Sequence, residues 1–376
     1  MLLACVLTPS AGAQDMTTDE PARHLLEGES DTDPDVTDDP ELDRMSYPNF
    51  TGEWITRLGL NSDYKVEGPL EEITDEFIDI IATPRLEFTD RFKIDSEIRL
   101  ETTSLPTENR RFEDEGIFVR KLWFQYDPTD DLSLLAGKIT PRFAIASLVT
   151  PGMFGNNYNK EIELIERIGF EAQYTFDAGS AGMHTLSGST FFDDTSVLSE
   201  SLGNNRGQTS LSDGGASNTE SFESFTLALS GQEITSLPGF RYQVGLIHEA
   251  AGRGDADDEN GFVVAADWTR RFTEDTSLMA IAEVAPIWNF EGSADDVLYT
   301  SAGLVLRSGR WLGVVSGTYR LRDLSGGGEW NDYSLQTTVE YEMGYGFSVA
   351  VAHEFLRDQN FDGRRVGVRL NYSLAF

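Results

Sequence analysis

This sequence is nearly devoid of cysteine, poor in basic residues, and without a long apolar run. Its one cysteine, Cys5, lies among the first residues, so no intramolecular disulfide staples the fold. Lysine and arginine number 29 against 64 aspartates and glutamates, a formal net charge of −35 over 376 residues. Nucleic acid is excluded as a partner, because its phosphates would be repelled by this much acid. After residue 9 no stretch reaches the ~18 uninterrupted apolar residues of a spanning helix, which excludes a helical membrane bundle. Apolar residues still make up 39% of the chain, with 35 glycines besides, an ordinary content for a folded protein.

Signatures of catalysis are missing as well. His248-Glu249 and His353-Glu354 lack the second histidine of an H-E-x-x-H site, and Gly137-Lys138 has no glycine at the phosphate-loop distance before it. Neither G-x-S-x-G nor a cysteine-based site occurs. The sequence is therefore read as that of a non-enzyme. A barrel hydrolase, whose Ser and His need not be close in sequence, remains an open alternative.

Three regions follow from composition. Residues 1–13 read as the end of a secretory signal, with Ala11-Gly12-Ala13 as a cleavage site before Gln14. Residues 14–48 form an acidic lead segment: twelve carboxylates between Asp15 and Asp43 stand against Arg23 alone. With so little to bury, that segment is expected to be disordered. Asp31, Asp33 and Asp35 start like a calcium loop, but Val36 and Leu42 occupy the places of its turn glycine and closing glutamate.

From about residue 49 to the end the pattern is period two. Counting back from Phe376, alternate residues are Leu374, Tyr372, Leu370, Val368 and Val366, while Ala375, Ser373, Asn371, Arg369, Gly367 and Arg365 intervene. A strand with one apolar and one polar face gives this alternation. Sixteen such runs are expected, near 52–62, 75–88, 91–103, 116–127, 131–140, 162–176, 183–193, 221–230, 240–250, 261–271, 276–287, 296–308, 310–322, 332–343, 346–356 and 364–376. Connections after even-numbered runs are mostly tight (Thr89-Asp90, Gly309, Gly344-Tyr345), whereas those after odd-numbered runs are long (141–161, 194–220, 251–260). A barrel inserted in a membrane sorts its loops this way, because its two rims face different compartments. Closure is required too, since lipid offers no partner to an open strand edge. The expected fold is an all-β transmembrane antiparallel β-barrel of about 16 strands over residues 49–376. Trp54, Phe88, Phe176, Phe240, Trp268 and Trp311, near strand ends, suit interfacial girdles.

On these features the chain resembles a Gram-negative outer-membrane porin. Asn371-Tyr372-Ser373-Leu374-Ala375-Phe376 is similar to the terminal signal of such barrels. Ala136-Gly137-Lys138-Ile139-Thr140-Pro141-Arg142-Phe143 resembles a strand-to-loop passage of the phosphate- and carbohydrate-selective porins, with Ala144 replacing a glycine. The resemblance implies an outer-membrane channel for passive diffusion of small hydrophilic solutes, surrounded by lipid and lipopolysaccharide, often as a homotrimer. It also implies that the third long loop, 141–161, folds inward. A barrel serving as a structural or adhesive anchor is the alternative.

Permeation requires no bond chemistry, so the sought constellation is a charged ring inside a pore. Arg142, Lys160, Glu161, Glu163, Arg167, Arg320, Arg322, Arg365 and Arg369 are the candidate lining. Among them the arginines of the late strands and Arg167 form a basic ladder facing Glu161 and Glu163. The competing reading is that each arginine pairs with a neighbouring carboxylate on the wall. No cofactor is expected. Asp358–Gly363 matches the first six places of a calcium loop, but Arg369 stands at the twelfth, which leaves at most weak Ca2+ binding at acidic loops.

Overall fold

The computed structural model describes residues 47–68, 71–146, 152–155, 158–204 and 206–376. The signal and acidic-lead readings of residues 1–46 lie outside the described residues. Strands β1 (Glu53–Tyr64), β2 (Thr74–Ala82), β3 (Phe92–Thr102), β4 (Glu115–Thr129) and β5 (Leu132–Ile139) open the barrel. They are followed by β6 (Arg167–Asp177), β7 (Met183–Asp193), β8 (Ser224–Gln232), β9 (Phe240–Glu249), β10 (Glu259–Thr273) and β11 (Thr276–Trp288). The last are β12 (Asp296–Ser308), β13 (Trp311–Asp323), β14 (Glu329–Gly344), β15 (Phe347–Asp358) and β16 (Phe361–Ala375). Each pairs antiparallel with the next, and β1 pairs with β16 from Glu53↔Ala375 to Tyr64↔Arg364, closing a barrel of 16 strands.

Among the strand boundaries that differ from the sequence reading, three have a clear local reason. The second run breaks at Thr83-Pro84, because proline cannot donate to the ladder. Arg85–Glu87 resumes the pairing with β3 and takes Asn49–Thr51 on its other side. The sixth strand begins at Arg167 rather than 162, since Asn159–Ile162 forms a 3-10 turn. The eighth begins at Ser224 rather than 221, after Phe222 has turned away with its carbonyl accepting from Thr190.

The period-two pattern sorts the side chains as barrel closure demands. Leu304, Val351 and Val368 are about half exposed on the outer face, while Asp332, Gln336 and Glu354 are fully buried on the inner one. A cylinder apolar outside and ionic inside inverts the water-soluble arrangement and suits lipid. At the rim of short turns the outward aromatics meet in pairs: Phe50–Phe376 at 5.5 Å, Phe88–Phe92 at 5.5 Å, Phe176–His184 at 5.4 Å, Trp311–Tyr341 and Phe347–Tyr372 both at 4.7 Å. These rings form a band along one rim, the place where membrane barrels carry their aromatic girdles.

Candidate channel lining

The chain between β5 and β6 is held by inner-face groups of strands far away in sequence. Gln243 of β9 donates to the carbonyl of Phe143. Glu283 of β11 accepts from the backbone N–H of Ile145 at 2.6 Å and of Ala146 at 3.0 Å. The Met153 N–H donates to Thr338 of β14 at 3.0 Å, and the Tyr158 hydroxyl to the Arg357 carbonyl of β15 at 2.6 Å. Asn159 accepts from Ser301 of β12 and Thr318 of β13. Beneath these bonds Phe143, Tyr158, Ile162 and Leu164 pack on Ile247, Val263, Ile287, Val297 and Tyr299 of β9 to β12. The apolar character of this long connection is thus matched by an apolar patch on the inner wall. Burying that surface offsets the loss of chain entropy.

The segment carries charge to both sides. Glu161 accepts from the Arg320 guanidinium at 2.7 and 2.9 Å and from the Tyr299 hydroxyl at 2.7 Å. Arg320 also reaches Asp332 at 2.7 Å and Asp358 at 2.8 Å, and its plane lies 4.3 Å from the Tyr158 ring centroid. Two residues on from Glu161, Glu163 faces the opposite way, 3.4 Å from Arg120 of β4. One cation is therefore shared by three carboxylates, an arrangement that holds only where it is hydrogen-bonded throughout.

Of the other sequence candidates, Arg322 pairs with Asp295 at 2.9 Å and stacks between Phe290 and Trp330, each at 5.4 Å. Arg365 bonds Asp63 at 2.7 Å, lies 3.7 Å from Glu354, and covers the Phe154 ring at 5.7 Å. Arg167 pairs with Asp193 and, at 3.1 Å, with Glu249. Arg142 is exposed, 3.2 Å from Gln173 and 3.8 Å from Glu171. Lys160 sits on the 3-10 turn with Glu161, half-buried. Arg369 is buried on the inner face of β16, in register with Gly59 and Ala350. The structure thus brings Arg320 to Glu161, while Arg167, Arg322 and Arg365 each face a carboxylate of their own. Glu163 meets a residue that strand parity did not single out.

That residue sits in a β-bulge. Glu97 of β3 stands opposite Lys121 while Ile98 stands opposite Val119, so Arg120 is the extra residue. A bulge re-aims side chains, and here both Arg120 and Lys121 turn inward onto Glu97, at 3.8 and 2.8 Å. Arg99 approaches the same carboxylate at 2.5 Å. Strict alternation hides this cluster; two adjacent basic residues in one run were the available signal.

Lys138 is fully buried and bridges Glu166 at 2.8 Å, Asp194 at 2.7 Å and the Leu198 carbonyl at 2.8 Å. It ties the start of β6 to the loop after β7, whose Leu202–Gly203 pairs with β4 above the end of the short β5. Arg206 of that loop closes the same cluster, 2.6 Å from Glu166 and stacked at 3.8 Å on Phe118.

No family model and no curated protein matches this sequence. Solved structures do. OprB of Pseudomonas putida superposes with a TM-score of 0.60 at 11% identity, covering 87% of this chain and 94% of that one. The outer membrane channel DcaP of Acinetobacter baumannii gives 0.57 at 13% identity over 87% and 96%. OpdK of Pseudomonas aeruginosa, solved with vanillate, gives 0.51 at 11% identity over 87% and 99%. The fold is that of outer-membrane channels. At these identities the likeness concerns architecture.

Proposed function

We propose that the protein is an outer-membrane porin of a Gram-negative envelope, a water-filled channel for passive diffusion of small hydrophilic solutes and ions. The observation that carries this reading is the pairing of a lipid-compatible exterior with an interior of alternating acids and bases. A barrel serving only as an anchor gains nothing from charges such as Arg99, Arg120 and Arg320, each costly to bury. The described residues between β5 and β6 that bond or pack on the inner face, Phe143 to Ala146, Met153 and Tyr158 to Leu164, are the constriction in this reading. Glu161–Arg320 on one side of it and Glu163–Arg120 on the other set opposed charges close to the solute path. In low-dielectric surroundings such rows make a transverse field that orients dipolar solutes.

The test is single-channel recording of the refolded full chain in planar bilayers, paired with swelling of liposomes in sugars of graded size. Discrete conductance steps with a size cut-off are expected. A barrel that inserts but neither conducts nor admits the smallest sugar overturns the channel reading in favour of an anchor. The working assembly proposed is a homotrimer, to be read from cross-linking in outer-membrane vesicles.

A further inference from the structure

On the outer face, β14, β15, β16 and β1 enclose a groove of about 370 Å3, lined by Leu60, Val339, Val351, Val366 and Val368, with His353 at its upper end. His353 is bonded to the Tyr64 hydroxyl at 2.8 Å and packs edge-on against Phe355 at 4.5 Å, so its polar edge is satisfied within the wall. Two residues beyond Val366, on the same face of β16 and toward the long loops, stands Arg364. It is in register with Phe355 on one side and Tyr64 on the other. Its guanidinium lies 5.3 Å from the Phe355 ring centroid and makes no ion pair or hydrogen bond with another described residue.

Other arginines nearby contrast with it. Arg357 bonds Asp362 at 2.6 and 2.9 Å, and Arg365 turns inward to Asp63. A cation on the lipid side of a barrel is tolerated at the upper edge of the apolar band if an anion meets it there. A guanidinium fixed by an aromatic ring offers a planar fork suited to phosphate oxygens. An apolar groove beginning just below such a fork fits a molecule with an acyl chain and a phosphate at one end.

We infer that this face binds a phosphorylated acyl lipid of the surrounding leaflet, its phosphate on Arg364 and its chain in the groove below. The inference rests on membrane insertion of the barrel and not on conduction, so a barrel that fails to conduct leaves it standing.

The experiment is native mass spectrometry of the full chain released from neutral detergent, with dioleoyl phosphatidic acid and dioleoyl phosphatidylcholine as competing probes. One phosphatidic acid is expected to be retained over phosphatidylcholine. Retention should fall about tenfold in R364Q, and likewise in V366W, which fills the groove. R111Q, which removes an exposed arginine beside Glu76, should bind as the unaltered chain does and serves as the control for general surface charge. Equal retention by R364Q overturns the phosphate contact, and equal retention by V366W overturns the groove. A disulfide-linked oligomer formed by V351C in the membrane would assign the face to a second copy of the chain and overturn the lipid. Heat-modifiable migration of each variant on gels checks that the barrel has closed.

Discussion

Glu161 and Arg320, 159 residues apart in sequence, meet through two hydrogen bonds of 2.7 and 2.9 Å. The pair joins the connection between β5 and β6 to the far wall at β13. Because Asp332 and Asp358 share the same guanidinium, removing the arginine leaves three carboxylates close together. R320M should therefore shift the reversal potential in a salt gradient toward cation preference. Breaking a buried pair costs about 3–5 kcal/mol, so its urea midpoint in detergent should fall as well. An unchanged reversal potential in a correctly closed barrel would remove Arg320 from the solute path.

Glu283 anchors the other end of the same segment by accepting from the N–H groups of Ile145 and Ala146. E283A orphans both donors, at a cost of about 1–3 kcal/mol. Single-channel records should then show a larger and noisier conductance, as the released segment samples more positions. E283Q keeps a carbonyl acceptor and should restore the quiet trace. Identical noise in all three proteins would show that the tether does not control the opening.

Gly137 adopts φ +133°, and a Cβ there would lie 2.4 Å from the Leu122 carbonyl oxygen. G137A should strain the backbone by about 1–3 kcal/mol before the clash with β4 is counted. Loss of the heat-modifiable, closed form during refolding is the expected result, read by gel migration. Full recovery of that form would show that the β4–β5 ladder yields.

Asp295 precedes β12 and holds two loops together, accepting from the Ser325 N–H at 2.8 Å and from Arg322 at 2.9 Å. Burial, the largest single influence, pushes its pKa up, but the bonds from Ser325 and Arg322 together hold it below the usual carboxylate value. A carboxylate depressed in the folded state stabilises fully above its unfolded pKa of about 3.9. That contribution disappears as pH falls through the folded value. Protection of the Ser325 amide against hydrogen exchange should hold at neutral pH and drop in strong acid. In D295N the acid-dependent drop should vanish. Acid loosening that persists in D295N would assign it to another group.

Strand parity pointed to Arg320, Arg322, Arg365 and Arg369 because each lies in an uninterrupted run of alternation. It failed at Arg120, where one extra residue in the β4 bulge turns two consecutive basic side chains inward. Lys138 escaped for a different reason: its carboxylates, Glu166 and Asp194, come from two separate loops.

Alternation of side chains is a property of extended backbone, written into any six or eight consecutive residues. For that reason the order of apolar and polar residues alone located most of the strands, sorted their two faces and separated the rim of long loops from that of tight turns. The exceptions lie where a bulge or a proline interrupts the alternation, as at Arg120 and Pro84. Who meets whom across the interior is not local. The pairs Glu161–Arg320, Glu163–Arg120 and Asp63–Arg365 exist only once β1 has zipped to β16 and the segment after β5 has settled on the wall. Tertiary structure decided those partners, because the stagger of the closed cylinder and the path of one long connection set distances that no spacing along the chain encodes.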